Sequence, residues 1–123
     1  MPRKKKTVKL STYRNKADRL YQEQGMKDRP RCLICMKMAN CLHHFFPKSV
    51  ASSLRYELKN GIPLCAGCHL RLHSSGDPEY EQIIIRKKGQ VWYDELKELR
   101  KKQINISKTY YISVISELST GNE

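Results

Sequence analysis

The sequence has no long apolar run. No stretch of its 123 residues approaches the 18 or more apolar positions of a membrane span. The basic N-terminus has no apolar segment behind it, so it does not read as a secretory signal. Large core-forming side chains are scarce, with two Phe and one Trp. A chain this short is expected to form one domain with a limited core, for which a metal staple is a useful stabiliser. Acidic residues are also few: 12 Asp plus Glu stand against 24 Lys plus Arg, for a net charge of +12. The expectation is a soluble protein of a reducing, cytoplasmic compartment, with no membrane partner.

The positive charge is concentrated early. Residues 1–31 carry 11 basic and 3 acidic side chains. The run Arg3, Lys4, Lys5, Lys6 and Lys9 is too charged and too short to pack, so residues 1–10 read as a mobile basic tail. Such a balance suits a polyanion, because neutralising phosphates releases counterions. Charge alone also fits a solubilising surface or a nuclear-localisation-like run. Lys48 and Arg71, beside the motifs described next, are further candidates for phosphate contact.

Five cysteines are present, and four form two Cys-x-x-Cys pairs: Cys32-Leu-Ile-Cys35 and Cys65-Ala-Gly-Cys68. Each such turn presents two thiolates to one side of a metal, and zinc takes four soft ligands in a tetrahedron. Gly67 suits the tight turn, and Pro30 and Pro63 stand where knuckle loops begin. Disulfides find no support without a secretory signal, and no βαβ pattern surrounds either pair to suggest a redox motif. Structural zinc on Cys32, Cys35, Cys65 and Cys68 is the expectation. Cys41 stands apart and reads as a small buried hydrophobe.

All four histidines lie near these cysteines. His43 and His44 end an extended segment, Ala39-Asn-Cys-Leu-His-His-Phe-Phe, that stops at Pro47. His69 follows Cys68, and His73 comes four residues later. On a helix the last two share a face one turn apart, where they could hold one metal. They could equally complete the zinc knuckle or form an ordinary surface pair. Four thiolates already close a zinc site, however, so the leftover imidazoles suggest a second, catalytic ion.

These elements resemble the zinc-stapled members of the HNH (ββα-metal) endonuclease family. The matching residues are Cys32-Leu-Ile-Cys35, His43-His44 and Asn60-Gly-Ile-Pro-Leu-Cys65-Ala-Gly-Cys68-His69, with Asn five residues before the third cysteine. The resemblance covers residues 32–73. It implies an α+β fold, in which a ββα hairpin and helix clasp one divalent ion beside a treble-clef-like zinc knuckle. The first strand carries His43 and His44, the second lies near Gly61–Leu64, and the helix runs from about Ala66 to Ser74. His43 and His69 then correspond to ligands of the catalytic ion, His44 to the general base, and Asn60 to the loop residue that positions the His44 segment. The spacing His69-x-x-x-His73 resembles nuclease colicins, in which the last histidine is also a ligand. The implied reaction is hydrolysis of DNA phosphodiester bonds, leaving 5′-phosphate and 3′-hydroxyl ends. Imidazole chemistry agrees with it: a neutral His, with an ordinary pKa near 6.5, can take a proton from water near pH 7. By ligand preference an imidazole site favours Zn²⁺, Ni²⁺ or Mn²⁺ over Mg²⁺, whereas the family works with Mg²⁺ or Mn²⁺. Adjacent strand residues normally face opposite ways, so spacing alone does not explain how His43 and His44 both reach one site. Asn60 before Gly61 is also an ordinary turn pair.

The core is thus expected over 30–76, inside a single domain over 11–123 with a helical extension over 77–120. Upstream, Ser11 or Thr12 is a candidate cap for a helix ending near Gly25, with Tyr13, Ala17, Leu20 and Tyr21 as its apolar stripe. Arg14, Lys16 and Arg19 read as its solvated charges. Downstream, Asp77-Pro78 opens a helix through Tyr80, Ile83 and Ile84 to Gly89. Trp92, Leu96, Leu99 and Gln103 mark another, with a basic tail at Arg100, Lys101 and Lys102. Ser107 caps a third, whose face of Tyr110, Tyr111, Val114, Ile115 and Leu118 is broad enough either to pack or to form a homodimer. The order of these tail elements is similar to the lambdoid-phage NinG/Rap recombination proteins. That likeness makes branched DNA a candidate substrate, and phage a candidate source, with the bacterial host cytoplasm as location.

The competing reading is a non-catalytic zinc-knuckle module that binds nucleic acid. Such a module needs its thiolates but has no use for His43, His44, Asn60 and His69 together. An RNA substrate or partner is a third reading, since phosphate chemistry does not distinguish the sugar.

Overall fold

The computed structural model describes residues 8–74 and 78–120. The fold is α+β: among the described residues five α-helices accompany a two-stranded antiparallel hairpin. The order is α1 (Leu10–Met26), β1 (Cys41–His44), β2 (Gly61–Leu64), α2 (Ala66–Ser74), α3 (Pro78–Lys88), α4 (Gln90–Arg100) and α5 (Lys108–Thr120). Two short 3₁₀ turns, Ser52–Leu54 and Leu58–Asn60, shape the connection between the strands. Among the described residues no helix is long and apolar enough to cross a membrane. Arg3, Lys4, Lys5, Lys6 and the expected cap Asp77 lie outside the described residues.

The hairpin pairs Cys41 with Leu64, Leu42 with Pro63, His43 with Ile62 and His44 with Gly61. Phe45 N–H donates to the Asn60 carbonyl at 2.9 Å. Hydrogen-bonded and non-bonded pairs alternate along an antiparallel ladder, so Leu42 and Pro63 fall in a non-bonded pair. Pro63 therefore sits in β2 without costing the ladder a donor. It is a strand residue, not the start of a knuckle loop. Its carbonyl accepts from Leu33 N–H at 3.0 Å and so ties the first cysteine loop to the hairpin.

Each face of the hairpin carries its own core. On one, Leu42 packs with Ala17 and Tyr21 of α1 and with Tyr111, Val114 and Leu118 of α5. On the other, Ile62 and Leu64 join Phe45, Phe46, Leu54, Ile84 and Leu96. The apolar stripe of α1 and the broad face of α5 are thus spent on one another within a single chain. Leu42 is accommodated by two glycines. A Cβ at Gly61 would lie 2.6 Å from Leu42 Cδ2 and 2.8 Å from the Tyr21 hydroxyl, and one at Gly25 would overlap the Leu42 side chain. Gly61 has an ordinary extended φ of −87°, so it is required for space and not for a turn.

Several helix ends differ from expectation. Neither Ser11 nor Thr12 caps α1: Lys9 is the cap residue, and its carbonyl accepts from Thr12 N–H at 3.0 Å. The helix therefore starts inside the expected tail and runs one residue past Gly25. Gln103 falls beyond α4, which ends at Arg100, where Ser53 Oγ donates to the Leu99 and Arg100 carbonyls at 2.9 and 3.3 Å. Other ends agree. Gly89, at φ 100°, joins α3 to α4 in a conformation that suits glycine. Ser107 Oγ accepts from Tyr110 N–H at 3.1 Å and caps α5.

Candidate metal centres and the histidine cavity

The two Cys-x-x-Cys turns converge. One sulfur from each of Cys32, Cys35, Cys65 and Cys68 lies within 4.8 Å of the others, and Cys35 Sγ stands 3.5 Å from Cys65 Sγ. A tetrahedron with Zn–S bonds of about 2.3 Å has edges of about 3.8 Å, so this donor set fits zinc. The first loop is a small knuckle. Cys32 N–H donates to the Lys37 carbonyl, Met36 N–H to the Cys32 carbonyl, and Met36 takes a positive φ of 65° to close the turn. Burial pushes the Cys32 thiol up, but main-chain hydrogen bonds from Cys35, Cys65 and Ile34 outweigh it and bring it down to about 6. Donors aimed at sulfur favour the thiolate that a metal needs. Lys87 of α3 braces the loop, donating to the Leu33 and Ile34 carbonyls at 2.7 and 3.3 Å.

The histidines gather at the other end of the hairpin. His43 comes from β1, and His69 and His73 from successive turns of α2. One ring nitrogen from each lies within 4.8 Å of the others, with His69 Nε2 and His73 Nε2 only 2.9 Å apart. For metal–nitrogen bonds of about 2.1 Å, ligands stand about 3.0 Å apart at a right angle and about 3.4 Å apart at the tetrahedral angle. The pair is thus spaced for a shared cation, and three imidazoles leave further positions open. Burial pushes His43 down to about 4, helped by repulsion from His69, His73 and His44. Burial also lowers His69, with His73 adding to the effect. Neutral imidazole is the ligand form.

These rings border a cavity of about 410 Å³, lined by Gln22, Cys41, Leu42, His43, His44, Pro47, Lys48, His69 and His73. The lining explains how neighbouring residues reach one site. His43 and His44 point to opposite faces of the hairpin, His43 toward α2 and His44 toward α1. The cavity follows the free edge of β1 and meets both.

His44 is held tightly. Its Nε2 lies 2.8 Å from the Arg55 main-chain carbonyl. A carbonyl can only accept, so Nε2 carries the proton, and in the neutral ring Nδ1 keeps its lone pair. The ring stacks on Tyr21, with centroids 4.9 Å apart and planes 22° from parallel. Burial lowers the His44 pKa, the Arg55 carbonyl opposes that, and the charges of Lys48 and Arg55 push it down again.

Asn60 is fully buried. Its Oδ1 accepts from Phe46 N–H at 2.9 Å, and its Nδ2 donates to the Phe46 and Leu54 carbonyls at 3.1 and 3.4 Å. The side chain thus clamps the segment after His44 and does not line the cavity. Cys41 is half-buried on the cavity wall, its thiol 3.8 Å from the Leu64 carbonyl, and so is less enclosed than a core hydrophobe. Lys48 sits on the cavity rim. Arg71 is exposed on α2 and donates to the Tyr80 hydroxyl at 2.8 Å, and Lys9 is exposed before α1.

Gln22 and Arg55 are site-shaping residues that local pattern does not reveal. Gln22 Nε2 donates to the Leu42 carbonyl and its Oε1 accepts from Leu42 N–H, both at 2.9 Å. A side-chain amide thereby takes the place of a strand along the free edge of β1. Gln22 lies outside the motif, and Arg55, though inside it, acts through a main-chain carbonyl that spacing does not reveal. Compared with models of known protein families, with curated proteins and with solved structures, the chain matches none.

Proposed function

We propose that this protein is a divalent-metal-dependent endonuclease of the HNH (ββα-metal) class that hydrolyses DNA phosphodiester bonds. The observation that carries the reading is the meeting of His43, His69 and His73 beside His44, whose Nδ1 lone pair is free. In this reading the hairpin and α2 are the ββα core, and the four cysteines hold a structural zinc in a treble-clef-like knuckle.

His44 is the general base. With Nε2 engaged by the Arg55 carbonyl, Nδ1 takes the proton from a water that attacks phosphorus. His43, His69 and His73 would hold the ion, taken as Mg²⁺ or Mn²⁺ by resemblance, with Zn²⁺ or Ni²⁺ favoured by the imidazole donors. When bound, that ion polarises a phosphate oxygen and stabilises charge on the leaving 3′ oxygen. Asn60 fixes the turn after His44 and so acts by positioning. Lys48 at the rim supplies a cation for the flanking phosphate backbone.

The test is a cleavage panel of linear, nicked, flap and four-way DNA, with an RNA control, against Mg²⁺, Mn²⁺, Ni²⁺ and Zn²⁺. Metal-dependent cutting that His44→Ala abolishes is the expected result. Binding to DNA without cutting under any metal would favour the zinc-knuckle binding module instead.

A further inference from the structure

Helix α1 reaches the His44 ring along three routes, none of which involves the clustered histidine nitrogens. Arg55, whose carbonyl holds that ring, is itself held through its side chain. Its Nε donates to Asp18 Oδ1 at 2.9 Å and its Nη2 to Asp18 Oδ2 at 2.7 Å. The two side chains are only 25% and 33% exposed, so this two-point pair escapes much of the solvent screening that weakens surface pairs. One turn along, Tyr21 backs the imidazole and donates from its hydroxyl to the Glu57 carbonyl at 3.1 Å. Gln22 grips Leu42, two residues before His44.

The support extends outward. Tyr56 packs edge-on against Tyr21, and Tyr110 and Tyr111 of α5 close around Tyr56. The Tyr56 hydroxyl is buried without a hydrogen-bond partner of ordinary geometry, beside the Asp18 carboxylate. Apolar side chains of similar volume often replace such a part-buried pair at no loss of stability, so packing alone does not require it.

We infer that Asp18 and Arg55 form a positioning device for the base: their two-point pair fixes the turn at 55–57, so that the Arg55 carbonyl stays on His44 Nε2 and Nδ1 stays the unprotonated nitrogen of a ring that lines the cavity. Tyr21 restrains the ring from behind. The kinetic consequence rests on the nuclease reading; the orientation of the ring does not.

The experiment uses the zinc-loaded 123-residue chain with Asp18→Asn, Arg55→Lys and the double variant. Arg55→Lys keeps the charge but loses the fork, and it covers the case in which Asp18→Asn fails to fold. Each single variant is expected to lower kcat about 10- to 100-fold with little change in KM. The double variant is expected to lose no more than the worse single one, since the pair acts as a unit. Ring ¹⁵N shifts of His44 are expected to show the Nε2–H tautomer in the wild type and a mixture of tautomers in the variants. Reduced thermal stability with unchanged kcat and wild-type ring shifts would overturn the inference and leave the pair a purely structural contact. If the wild type cuts no substrate with any metal, the nuclease reading falls, and the ring shifts alone then decide the inference.

Discussion

As the proposed base, His44 must keep one nitrogen protonated and the other unprotonated, and its surroundings suit both demands. The Arg55 carbonyl accepts the Nε2 proton, burial keeps the ring neutral, and Tyr21 fixes its plane. Replacing it with Ala should lower cleavage by about 100- to 10,000-fold, the usual share of a general base, while zinc content and DNA affinity hold. Gel-based cleavage beside metal analysis and a binding titration checks this, and retained cutting would remove His44 from the base role. The cysteines are expected to behave oppositely. Cys65→Ser or prolonged chelation should unfold the protein, because the free energy of binding structural zinc is folding free energy. Circular dichroism with zinc quantitation checks it, and a folded, zinc-free Cys65→Ser protein would refute structural zinc. The cysteines and histidines are legible in the sequence because their spacing within each element is short. Cys-x-x-Cys and His-x-x-x-His place donors together by local geometry alone. Arg55 is illegible there because it acts on His44 through a main-chain carbonyl, which any residue type possesses.

The hairpin and α2 are readable as elements, and their bounds agree with the expected ones at Gly61–Leu64 and Ala66–Ser74. Local pattern does not show why Gly61 is there. Asn60-Gly61 looks like a turn pair, yet Asn60 is a buried clamp and Gly61 makes room for Leu42 and Tyr21. Gly61→Ala should therefore cost about 1–3 kcal/mol through overpacking. It should also lower cleavage per folded molecule, since the added methyl presses on Tyr21, which backs His44. Urea unfolding and steady-state kinetics on the same preparation separate the two effects. Unchanged stability would show that Leu42 and Tyr21 yield freely. The ends of α1 and α4 depart from expectation: α1 starts after Lys9 with no side-chain cap to mark it, and Ser53, which bonds the last carbonyls of α4, is 46 residues from Leu99.

For the whole molecule, the governing quantity is a net charge of +12 on 123 residues. Phosphate contacts made by such a surface add affinity without sequence choice. Deleting residues 1–7 removes Arg3, Lys4, Lys5 and Lys6 and leaves Lys9 to begin α1. Binding to duplex DNA should weaken, and the slope of log K against log salt should flatten by up to about 0.9 for each phosphate that is no longer neutralised. A salt titration by fluorescence anisotropy measures that slope, and an unaltered slope would take the N-terminal cations out of the interface. At this scale the C-terminal helices also find their place: α5 covers α1 with the face that could otherwise serve self-association. The donors, their pairing within each turn, the charge and the flanking helices were legible in the amino-acid order, because these depend on neighbours a few residues apart, and the second strand and α2 came from the family resemblance. Which nitrogen of His44 is engaged, how His43 and His44 come to border one cavity, and which groups α1 touches around them became visible in the folded chain. Those outcomes rest on hydrogen bonds across 11, 20, 36 and 37 residues, and such distances are closed by packing, not by local pattern.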